Sequence, residues 1–194
     1  MSDTQSLETA TSLVAFFRDE LSLAMKQTGT RTTEETEAYL VHLLEGYSRL
    51  NPQTAQDLGF DKPAAHILEE AMKSAGDKRI EIYRRLGDAS LYNCGFFAER
   101  LERRVGPGYY MQVGRTAYRS LSEMMTFKQP GGIFDQIFGE LSDKFDGVVA
   151  AFKWLGGKST QGALERALAE WDGNENASNL LSSGLLASKD VGEA

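Results

Sequence analysis

The run from Ile133 to Leu155 constrains this chain most. At the ~100° per residue of an α-helix, Phe134, Ile137, Phe138, Leu141, Phe145, Val148, Phe152 and Leu155 gather on one side. Asp135, Glu140, Asp143, Asp146 and Lys153 fall elsewhere. Such a segment is stable only when its aromatic stripe lies against other elements. The spacing predicts one long helix, and the rest of the chain repeats the plan.

Ser6 is placed to cap a first helix ending near Lys26, with Leu13, Val14, Phe17, Leu21 and Ala24 as its apolar face. Thr32 and Glu35 have capping-box spacing for a second helix reaching about Arg49, striped by Leu40, Leu43, Leu44 and Tyr47. Asn51-Pro52 stops it. Pro63 suits the first turn of a third helix, with Ala64, Leu68, Ala71 and Ala75 inward. A fourth is expected over Lys78–Arg104, bent near Gly87 or Gly95, and a fifth over Tyr109–Phe127. Gln129-Pro130-Gly131-Gly132 leads into the sixth. The expected fold is all-α, a single-domain bundle of six to seven helices with a flexible C-terminal tail. Residues 1–6 are expected to be disordered and 7–156 to form the bundle. An appended amphipathic helix is expected over 157–172 and a flexible tail over 173–194.

A net charge of -7 without a basic cluster argues against nucleic acid as a partner. Cys94 is the only cysteine, so an internal disulfide and a multi-cysteine metal site are both ruled out. The start Met-Ser-Asp-Thr-Gln has no apolar signal run, and no stretch reaches the length of a membrane span. A cytoplasmic location is the expectation.

Little in the sequence points to catalysis. His42 with Glu45 and His66 with Glu69 stand at i,i+3, a spacing that shares a helix face. Di-iron bundles use the opposite order, Glu-x-x-His, directed inward. Here both pairs fall away from the apolar stripes. No metal, cofactor or catalytic residue is assigned. Cys94 reads as a small buried hydrophobe, and Arg84 with Asp88 as an i,i+4 surface pair. Asn93 falls inside the fourth helix's apolar stripe, where an amide needs partners. It either lines a ligand pocket or bonds a backbone carbonyl or a tyrosine hydroxyl. In the first case Asn93, Tyr110, Tyr118 and Phe138 would line a pocket between the fourth, fifth and sixth helices. Gly114, Ala117 and Leu121 form a smooth face that admits a close helix neighbour.

Several apolar groups are expected to face outward. Tyr92 and Phe96 lie off the fourth helix's stripe, and Trp154 lies opposite the sixth's. Leu164, Leu168 and Trp171 form a narrow stripe beyond the Gly156-Gly157 joint. Together they suggest an interface.

The run Leu86-Gly87-Asp88, Gly95-Phe96-Phe97, Tyr109-Tyr110, Gly114 and Ala117-Tyr118 resembles a pattern of small all-helical bacterial proteins with no assigned activity. That resemblance implies a bacterial source and transfers no functional residue. The leading expectation is a non-enzymatic helical interaction or scaffold protein that self-associates or binds another protein. A small-molecule binder is the alternative, and a metal-dependent enzyme is less favoured.

Overall fold

The computed structural model describes residues 2–49, 63–102 and 106–157, with side chains described from Leu13 onward except at 99 and 100. Among the described residues the chain is helical, with no strand. The elements are α1 (Ser2–Thr28), α2 (Glu34–Ser48), α3 (Ala64–Lys73), α4 (Gly76–Phe96), α5 (Ala98–Glu102), α6 (Pro107–Lys128), α7 (Ile133–Asp143) and α8 (Phe145–Leu155). The α1 helix begins before Ser6. None of the described helices is long and apolar enough to cross a membrane.

The α4 and α6 helices form the centre and run antiparallel. Asp77 pairs with Lys128 at one end, Gly87 lies against Tyr118 and Ser90 against Gly114, and Cys94 lies beside Pro107 at the other end. Glycines permit this approach. A Cβ on Gly87 would meet the Tyr118 ring at 2.7 Å, and one on Gly114 would meet the Phe145 ring at 2.4 Å and Ser90 at 2.8 Å. Gly114, Ala117 and Leu121 are all buried.

The helix expected over Lys78–Arg104 is divided at Phe97, whose backbone leaves the helical region at φ -128, ψ 32. The helix runs without a break through Gly87 and Gly95. Each removes a side chain where an aromatic ring presses on the helix, Tyr118 on Gly87 and Phe152 on Gly95.

The expected single helix over Ile133–Leu155 is likewise interrupted, at Lys144 (φ -103, ψ 17). Hydrogen bonds from the Lys144 N–H to the Glu140 carbonyl and from the Val148 N–H to the Lys144 carbonyl span the break. The Lys144 ammonium donates to the Arg31 carbonyl at 2.5 Å and to Glu140 at 2.7 Å. The break is therefore tied to the α1–α2 connection. Before it, α7 follows α6: the Ser122 and Ser142 hydroxyls donate to the Asp135 and Arg115 carbonyls. After it, α8 moves onto α4 and α1. Phe152 covers Gly95, and the Thr30 hydroxyl donates to the Gly147 carbonyl at 3.1 Å.

Thr33, one residue past the expected position, caps α2 by accepting the Thr36 N–H. On α3 the buried face is Ala64, Ile67 and Ala71, whereas Ala75 is exposed. The core joins α1, α2, α4, α6, α7 and α8 through Leu21, Leu40, Leu86, Tyr118, Phe138, Phe145 and Phe152.

Candidate functional site

The central turn of α4 is buried on all sides, from Leu86 through Tyr92. Asp88 lies in it and is only 9% exposed. Its Oδ1 accepts two phenol hydroxyls, from Tyr39 on α2 at 2.6 Å and from Tyr118 on α6 at 2.7 Å. Phe138 packs edge-on to Tyr39 and stacks with Tyr118, which encloses the cluster. The i,i+4 surface pairing expected for Asp88 and Arg84 is thus replaced by a buried junction of three helices. Removal from water pushes the Asp88 carboxyl up to about 6, against the pull of the two hydroxyls and the Arg84 charge. Burial, with the Asp88 charge next, holds the Tyr39 and Tyr118 phenols far above their usual range.

Of the four expected pocket residues, Tyr118 and Phe138 belong to this junction. Asn93 and Tyr110 do not. Asn93 lies five residues beyond Asp88, or ~7.5 Å along the helix. Tyr110 lies eight residues before Tyr118, or ~12 Å along α6. Asn93 is half-buried, and its Nδ2 donates to the Ala89 carbonyl at 2.7 Å. Tyr110 is buried with its ring edge-on to Tyr109. The Asn93 amide and the Tyr118 hydroxyl, two of the three polar groups of the expected pocket, are thus engaged within the protein.

The outward direction expected for Tyr92, Phe96 and Trp154 is corrected. Tyr92 is buried, stacked on Tyr47 at 4.6 Å and packed on Phe96 at 4.7 Å. Phe96 reaches Phe152, 5.4 Å away. Both Phe96 and Trp154 are half-buried against the core. For Tyr92 and Phe96 the reason is that α2 and α8 cover the side of α4 that a single-helix projection leaves to solvent. Leu164, Leu168 and Trp171 lie outside the described residues.

Among the described residues, a group of exposed large apolar side chains lies at the opposite end, around the α6–α7 turn; Leu23 on α1 is a further exposed one. Phe127 is 92% exposed, Phe134 54% and Ile133 52%. Met72, also exposed, lies within five residues of the Asp77–Lys128 ion pair that joins the α3–α4 and α6–α7 turns. The α6–α7 turn is held firmly. Asp135 accepts the Gly131 N–H at 3.1 Å and the Thr126 hydroxyl at 3.3 Å. Gly131, at φ 74, takes a conformation that suits glycine. The Gly132 N–H closes back on the Gln129 carbonyl.

His42 and His66 are exposed. Glu45 pairs with Arg49 at 2.7 Å and Glu69 with Lys73 at 2.5 Å, so each carboxylate of the two His/Glu pairs already has a cation. No metal-holding group of His, Cys, Asp and Glu occurs among the described residues. Burial pushes the Cys94 thiol up to about 12, far from the thiolate that nucleophilic chemistry requires.

Sequence reasoning missed Tyr39, Asp88 and the exposed tip. A signal for Asp88 existed. It stands in Gly87-Asp88-Ala89-Ser90, small residues in mid-helix that mark neighbours on every side. No protein-family model, curated protein or solved structure matches the chain.

Proposed function

We propose that this chain is a non-enzymatic helical interaction protein that self-associates through the end built by its α3–α4 and α6–α7 turns. The supporting observation is the exposed group Phe127, Ile133 and Phe134 on a turn fixed by Asp135. Apolar side chains presented on a rigid frame lose little entropy on docking. They make the apolar centre of a contact, and the polar groups around them its rim.

Local charge favours a second copy as the occupant. Lys128 pairs with Asp77 and Lys73 with Glu69 at this end. Two such ends can meet without opposing blocks of like charge, although the whole chain carries -7. The junction around Asp88 serves the fold: its carboxylate is enclosed, and its donors come from the chain itself.

Size-exclusion chromatography with light scattering tests the proposal, applied across a dilution series to the parent and to the double variant Phe127→Ser/Phe134→Ser. The expected parent mass exceeds one chain and falls on dilution, while the variant stays at one chain. A parent of single-chain mass throughout, or a variant that still assembles, would overturn it.

A further inference from the structure

We propose that Asp88, Tyr39 and Tyr118 form a proton-responsive clamp, whose closed form between α2, α4 and α6 is favoured once Asp88 takes up a proton, because burying the anion costs more than the stronger bonds it accepts from the phenols return. The geometry carries this reading independently of self-association. One carboxylate oxygen accepts both phenols, and both donors are neutral. An anion out of water is stabilised well only by a close, desolvated counter-charge. Among the described residues, the groups facing Asp88 do not include one.

From α2 come Tyr39 and Tyr47, and from α6 comes Tyr118. On α4 itself, Arg84 acts on Asp88 from an exposed position, and Arg85 acts on the neighbouring Tyr47. The α7 and α8 helices contribute the rings of Phe138 and Phe145 around Tyr118. The buried face of α3 is Ala64, Ile67 and Ala71. The protonated carboxyl still accepts both phenols through its carbonyl lone pairs and no longer buries a charge.

The direction of the pH effect follows. Burial raises the Asp88 carboxyl from 3.8 to about 6, so the folded chain binds the proton more tightly than the unfolded chain does. The stabilisation is complete below 3.8 and is lost as pH rises through about 6. This opposes the usual loss of stability in mild acid.

Two measurements test the clamp. Denaturant unfolding of the parent and of Asp88→Asn is compared at pH 7.5 and 5.0. Relative to the variant, the parent's folding equilibrium should strengthen about ten-fold on acidification. Parallel profiles would overturn the proposal. Carbon NMR titration of the Asp88 carboxyl in the parent decides the matter even where Asp88→Asn does not fold. A midpoint above pH 5, moved higher in Tyr118→Phe because the anion loses a donor, is expected. A midpoint below pH 5 would overturn it.

Discussion

Glu140 on α7 caps the start of α2: its Oε2 accepts the Thr33 backbone N–H at 3.0 Å and the Thr33 hydroxyl at 2.7 Å. A helix start leaves N–H groups without intrahelical partners, and here a carboxylate from another helix satisfies one. Burial raises the Glu140 carboxyl, but hydrogen bonds from Lys144, Thr36 and Thr33 outweigh that and hold it at about 2. Its contribution is therefore present above 4.5 and lost as pH falls through about 2. Glu140→Gln should cost about 1 kcal/mol at neutral pH, discounted for partial exposure. Urea unfolding should show the two proteins converging in strong acid.

Glycine substitutions should separate by what each glycine faces. Gly114→Ala forces a methyl into the Phe145 ring and Ser90 and should destabilise by about 1–3 kcal/mol. Gly46 lies within α2, with open space where its Cβ would be. Gly46→Ala should stabilise by about 0.5–1 kcal/mol. Thermal unfolding midpoints that move in opposite directions would bear this out.

Phenylalanines should separate in the same way. Phe138 is fully enclosed beside Tyr39 and Tyr118, so Phe138→Ala should cost about 3–5 kcal/mol. Phe127→Ser, at the exposed tip, should stay within about 0.5 kcal/mol of the parent. Denaturant midpoints at a dilution that keeps the protein at one chain would measure both.

Cys94 should be inert in the native protein. Its side chain is buried, and the thiol titrates near 12. Reaction with a disulfide reagent such as Ellman's should be slow at pH 8 and complete at once in denaturant. A rapid native reaction would contradict the packing of α4 against α6.

The fold was legible because its stripes are regular. Leu40, Leu43 and Leu44 on α2 and Gly114, Ala117 and Leu121 on α6 face inward as their spacing requires. The breaks at Phe97 and Lys144 were not, because neither residue is a helix breaker. At Lys144 the break goes with a tertiary contact: its ammonium reaches the Arg31 carbonyl, more than one hundred residues away in sequence. Asp88, Tyr92 and Phe96 were misread for a related reason. A helical projection assumes one wet side, and the middle of α4 has none. The exposed tip was missed because Phe134 fits the stripe of Ile133–Leu155, yet its side chain is more than half exposed.

The jog at Lys144 lets one stretch of 23 residues lean on α6 and α2 with its first half and on α1 and α4 with its second. A straight rod would have served fewer neighbours. Any of these four helices that swings away must tear this shared strut loose, so half-open forms should be scarce, and the slowest-exchanging amides should sit on either side of the bend.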